Sequence, residues 1–130
     1  MIQEDFSNTN NAETMKLVYE EVNRFILVLE DMIQIVLNGD DVNSISMREL
    51  KERTIDAKSH LHNIRDTIIR NEKTISRKYY DLWKKQLDIY NDTYMDDVVT
   101  DWILNGSRDI IMDRLYSVCY KMRELIRKNQ

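Results

Sequence analysis

The chain contains no proline, and its only glycines are Gly39 and Gly106. Proline cannot sit inside a helix, and glycine weakens one by about 1 kcal/mol relative to alanine. A sequence this poor in breakers is free to be helical nearly throughout, whereas a sheet protein needs many Gly- or Pro-bearing turns. The expected class is all-α. At 130 residues the chain has the size of one domain. Such a chain buries roughly two-thirds of its unfolded surface, and that makes a core without disulfides or metal. Apolar residues make up 42%, which separates the sequence from disordered chains of low hydropathy.

Hydrophobic spacing marks out the helices. Met15, Val18, Val22, Phe25, Leu29, Met32 and Val36 recur at alternating steps of three and four, widened by Tyr19, Ile26 and Ile33. This predicts a helix from Ala12 to Asn38, ended by Gly39, with residues 1–11 as a flexible polar tail and 12–130 as the domain. The second half of the helix also carries Leu27, Val28, Ile35 and Leu37, more apolar surface than one seam uses. It is expected to lie centrally or to have a second face covered by a partner.

Ser46 and Glu49 form a capping box that predicts the next helix start. Its seam is Met47, Leu50, Thr54, Ala57, Leu61, Ile64 and Ile68, and it loses step near Asn71 to Lys73. A third helix is expected to carry Ile75, Tyr79, Leu82, Trp83, Leu87 and Tyr90, with one long helix through the region as the competing reading. A short helix with Val98, Val99, Trp102 and Ile103 should end at Asn105–Gly106. Ser107 should then open a last helix seamed by Ile111, Leu115, Val118, Met122 and Leu125. The sum is a single-domain bundle of four to five mostly antiparallel helices.

Charge is distributed in blocks. Residues 1–41 hold nine acids and two bases (net −7), and residues 46–87 six acids and eleven bases (net +5). Residues 88–113 hold seven acids and one base (net −6), and residues 114–130 one acid and five bases (net +4). Neighbouring helices of opposite sign attract across their flanks, and the same blocks can meet a charged partner.

Few residues fall into patterns that carry chemistry. His60 and His62 are two apart, so a helix places them on nearly opposite sides, where they cannot share a metal. Asp88, Asp92 and Asp96 form an i,i+4 stripe that reads as a solvated face or a site for a basic partner. Glu49 and Glu52 make half of the paired-acid motif of a magnesium enzyme, without a matching half. Two glycines cannot build a phosphate-binding loop, and no serine stands between spaced glycines as a nucleophile would. The lone Cys119 reads as a small buried hydrophobe. No catalytic, metal or cofactor residue is assigned. Tyr79, Trp83 and Tyr90 read as core, while Tyr80, beside Lys84 and Lys85, reads as an exposed anchor.

The segment from Ser46 to His62 resembles the helix-turn-helix of TetR-type repressors, with Arg48, Glu49, Leu50, Arg53, Lys58 and Leu61 at equivalent places. Trp102 to Gly106 is similar to a Trp-Leu-x-Asn-Gly segment in the ligand-binding half of some of them. The turn glycine is replaced by Ile55, the Tyr-x-Tyr-Phe signature is lost, and the chain is too short for both halves. The resemblance implies DNA binding through Lys51, Lys58, His62 and Arg65, whose basic block suits phosphate contacts.

The leading expectation is a non-enzymatic protein-interaction module of the inhibitor, immunity or adaptor type, acting through a helix face. Its candidate contact residues are Tyr80, Lys84, Lys85, Val28, Ile35, Asp92 and Asp96. The partner is another protein or a second copy of the chain in a homodimer, with the eroded helix-turn-helix at 46–66 as the alternative. With no apolar run of membrane-spanning length and no signal-peptide pattern, an intracellular, cytoplasmic location is expected.

Overall fold

A computed structural model describes residues 2–38, 44–105 and 108–128, without the side chains of 2–11, 44, 45, 102, 103 and 105. Among the described residues it is all-α, with five helices: α1 (Ile2–Asn38), α2 (Ser44–Arg70), α3 (Arg77–Ile89), α4 (Asp92–Asn105) and α5 (Arg108–Lys128). Helix α1 begins at Ile2 rather than at Ala12, so the expected polar tail has helical backbone. No breaker lies there. Helix α2 begins at Ser44, two residues before the expected cap, so Ser46 lies inside the helix and is buried. Gly39, Gly106 and Ser107 lie outside the described residues, but α1 and α4 do end at Asn38 and Asn105.

The region after Leu61 is two helices and not one. Asn71 ends α2: its side chain donates to the Thr67 carbonyl, and its own carbonyl accepts from the Thr74 and Ile75 amides. Ser76 then caps α3 by accepting from the Tyr79 amide. A second junction divides α3 from α4. There Asn91 donates to the Asp88 carbonyl and accepts from the Tyr94 amide, so one side chain closes one helix and opens the next. The Asp88, Asp92, Asp96 series therefore crosses a helix boundary and is not one stripe.

Four of the helices close a ring, α1 on α2, α2 on α4, α4 on α5 and α5 on α1, while α3 packs on α2 outside it. The seams meet inside. Every member of the expected α1 seam from Met15 to Val36 is buried, as are Leu50 to Ile68 on α2 and Ile111 to Leu125 on α5. Thr54 is the one hydroxyl in the α2 seam, and it donates to the Leu50 carbonyl at 2.8 Å, so no polar group is stranded there. On α3 the inward face is Tyr80, Trp83 and Leu87, with Tyr79 and Leu82 only partly covered. Tyr90 is buried at the junction, where its ring meets Tyr94 edge-on at 5.1 Å.

Ion pairs cross three sides of the ring, and a carboxylate–histidine hydrogen bond crosses the fourth. Glu21 of α1 accepts from His60 of α2, and Lys58 of α2 reaches Asp96 of α4 at 2.9 Å. Asp101 of α4 meets Arg114 of α5, and Arg123 of α5 returns to Glu30 of α1 at 2.9 Å. Blocks of opposite sign thus meet within the chain at these points. The order of these partners makes α2 antiparallel to both α1 and α4, because Glu21 faces His60 and Asn63 while Asp31 lies beside Glu49 and Glu52. Each exposed pair contributes only about 0–1 kcal/mol, so the blocks select neighbours more than they stabilise.

Cys119 is buried in α5, and burial pushes its thiol up to about 11, with Glu30 adding to the rise and Arg123 opposing it. A thiol reagent at pH 7 should label it only after denaturant unfolds the chain. Trp83 is fully buried, and its indole N–H finds no acceptor among the described residues. Trp83→Phe removes that unpaired donor along with some volume, so urea unfolding should show a loss within about 1 kcal/mol. Trp83→Ala opens a cavity and should lose about 3–5 kcal/mol. A phenylalanine variant as damaged as the alanine variant would mean that the N–H is bonded.

Candidate functional site

The antiparallel packing of α2 on α4 leaves a groove along their outer seam. Its first stretch is a hollow of about 450 Å³ between Lys51, Thr54, Ile55 and Lys58 on α2 and Asp96, Val99 and Thr100 on α4. A second hollow of about 350 Å³ shares Ile55 and Lys58 and continues to Ser59, His62, Asn63 and Asp92. Ile55 stands where the two meet and is 64% exposed. It lies one residue past Thr54, about 100° around the helix from the buried seam, so α2 cannot bury both. Val99, already buried, supplies the floor.

The groove's polar groups are mostly spent on one another. Lys58 donates to the Asp96 carboxylate at 2.9 Å, and His62 Nε2 lies 2.8 and 3.0 Å from the two oxygens of Asp92. The Thr54 and Thr100 hydroxyls donate to the carbonyls of Leu50 and Asp96, four residues back in each case. That leaves the exposed Thr100 to offer its methyl group outward, while Thr54 stays buried behind Ile55. Lys51 makes no ion pair among the described residues and stands at one end of the groove. The result is an apolar trough with Lys51 available at one end, whose α2 wall is tied to α4 by the Lys58–Asp96 ion pair and the His62–Asp92 hydrogen bonds.

The residues singled out from the sequence divide among several places. Lys51, Lys58, His62, Asp92 and Asp96 come together in this groove. Arg65 is turned away, donating to the Leu87 carbonyl at 3.0 Å in the last turn of α3, where a cation suits the negative helix end. It shares a smaller cleft of about 130 Å³ with Tyr80, Lys84 and Ile69. Tyr80 is not an exposed anchor: it is 5% exposed and packs under Arg77 and Lys84, whose cations lie 5.0 and 5.8 Å from the ring. The physical reason is the phase of α3, which turns 80, 83 and 87 inward. Lys85 is exposed and borders neither groove nor cleft. Val28 and Ile35 are half-buried against the core, because α1 has a neighbour on each flank, whereas Leu27 remains 62% exposed.

The element behind the DNA-binding alternative has a different shape here. Helix α2 runs unbroken through Ile55, so 46–66 contains no turn. Lys58 and His62 already face carboxylates, and a duplex would have to displace them. Glu49 and Glu52 face Asp31 across a polar hollow of about 400 Å³ that also holds Arg53. Among the described residues no three His, Cys, Asp or Glu side chains gather as metal ligands. Also among them, no helix is long and apolar enough to cross a membrane. Comparison with protein-family models, curated proteins and solved structures found no match.

Ile55, Val99 and Thr100 were not among the candidate contact residues expected from the sequence. The signal for Ile55 was present, an isoleucine off the seam on an otherwise polar face. Val99 and Thr100 become groove residues only through the way α4 lies on α2.

Behind the groove, Glu21 ties α1 to α2. Burial disfavours its charge, but hydrogen bonds from His60, from Asn63 at 3.2 Å and from Arg24 at 2.9 Å outweigh that and hold its carboxyl below the usual range. A carboxyl more acidic in the folded than in the unfolded chain stabilises fully above its unfolded pKa. That contribution is lost as pH falls through the folded value. Glu21→Gln should cost about 1–3 kcal/mol at pH 7 and much less at pH 3, read by urea unfolding at both. An equal penalty at the two pH values would refute the role given to its charge.

Proposed function

We propose that this chain is a non-enzymatic binding protein of the inhibitor, immunity or adaptor type, and that it docks an amphipathic helix of another protein along the α2–α4 groove. One observation carries the reading: Ile55 is largely exposed at the centre of a continuous trough whose walls are apolar or already charge-paired. A helix laid in such a trough buries its own apolar stripe against Ile55 and Val99. An acidic side chain on its flank would meet Lys51 at the groove's end.

The polar pairs suit this role. Lys58–Asp96 and His62–Asp92 are formed before any partner arrives, so docking does not have to order them, and they form a rim around the apolar centre. Binding energy in such sites concentrates in a few central side chains, and Ile55 occupies the centre.

Ile55→Glu places a charge in the trough without touching the core, so the variant should fold with a wild-type helical spectrum. A protein captured by the wild-type chain from its native host should bind Ile55→Glu at least tenfold more weakly, and Lys51→Glu several-fold more weakly, by calorimetry. Unchanged affinity in Ile55→Glu would place the contact on another face.

A further inference from the structure

The outer face of α5 carries a second pattern, independent of the groove. Asp109, Asp113, Tyr116, Tyr120, Arg123 and Arg127 follow one another at steps of four, three, four, three and four, and all six are exposed. Such spacing places them in one line along the helix, about 27 Å long at 1.5 Å per residue. Both tyrosines are largely open to solvent, at 52% and 62%. The ring helices cover the opposite face, Ile111 to Leu125, while the six residues of this line stay exposed and Arg123 reaches across to Glu30 of α1.

The line reads the same way from both ends once charge is inverted. Two acids stand at its N-terminal end, two tyrosines at its centre and two arginines at its C-terminal end. Position 113 lies as far before the midpoint of the pattern as 123 lies after it, and the same holds for 109 and 127, and for 116 and 120. We infer that this face pairs with the same face of a second copy, α5 running antiparallel to α5. Asp109 then meets Arg127 of the second copy, Asp113 meets its Arg123, and Tyr116 stacks on its Tyr120. A two-fold axis requires each contact to occur twice, and this pattern supplies both halves of every one.

The helix dipole alone explains an acid in the first turn and a base in the last, Asp109 and Arg127. It does not explain Asp113 and Arg123 in the interior, nor two exposed tyrosines between them. Asp109 and Asp113 make no ion pair among the described residues. Arg123 bonds Glu30 at 2.9 Å and Arg127 bonds Glu124, yet the two arginine side chains are 57% and 75% exposed. A guanidinium has five donors, so each can keep its internal partner and donate to a second carboxylate. Tyrosine and arginine are also the side chains that most often anchor interfaces.

Sedimentation or light scattering of the pure chain should show a dimer with a dissociation constant on the order of 10 µM or tighter, weakened by salt. Asp113→Arg alone and Arg123→Asp alone should each give a monomer, with helical spectra confirming that both fold. The double variant, Asp113→Arg with Arg123→Asp, restores opposite charges across an antiparallel pair and should dimerise again. Tyr120→Ala should weaken the dimer at least tenfold. A wild-type monomer at all concentrations overturns the inference. So does a dimer indifferent to both single reversals, or single reversals that dissociate it without rescue by the double.

Discussion

Enclosure of one face of α1 between α2 and α5 is the contact on which the architecture rests. Phe25, Leu29 and Met32 lie on that face and are fully buried, and the seams of α2 and α5 close over them. Interiors of this kind pack as tightly as organic crystals, so the spacing of one helix dictates the phase of its neighbours. Once α1 sets α2, the outward position of Ile55 follows, because Thr54 and Ala57 are committed to the core. The groove is a consequence of the packing and was not a free choice of the surface.

Charge acts on top of this frame as a means of choosing neighbours. The ring alternates in sign, acidic α1, basic α2, acidic α4 and basic α5; opposite charges pair across three sides, and Glu21 bonds His60 across the fourth. Helices of like sign lie across the ring and not side by side. The most enclosed of these pairs, Glu21 with His60, has three hydrogen bonds to its carboxylate, and the rest sit near solvent where screening is strong. Part of a distribution that allowed both helix pairing and a charged partner is used to pair helices within the chain. Many charged side chains make no ion pair among the described residues, Lys51 at the groove and Asp109 and Asp113 on α5 among them.

The two surfaces offered outward differ in kind. The α2–α4 trough is concave, apolar and nearly charge-neutral, a shape suited to a foreign helix. The α5 face is convex, aromatic and charge-segregated along its length, a layout complementary to itself. They lie on different elements, and occupation of one leaves the other open.

Much of the fold was legible in the residues. The absence of proline and the three-four spacing settle an all-α class and nearly every buried position on α1, α2 and α5, because those features act within one helix and do not depend on its neighbours. The break near Asn71 was legible too, since a polar residue fell where the seam needed an apolar one. The phase of α3 was not: Tyr79 and Tyr80 are adjacent and alike in chemistry, and only packing on α2 decides which turns inward. Nor could a linear sequence say that Lys58 would be neutralised by Asp96, 38 residues on, or that Arg65 would bond the end of α3 instead of facing solvent. Helix identity is a local property of the chain; which surfaces remain for others is decided by what the helices have already covered.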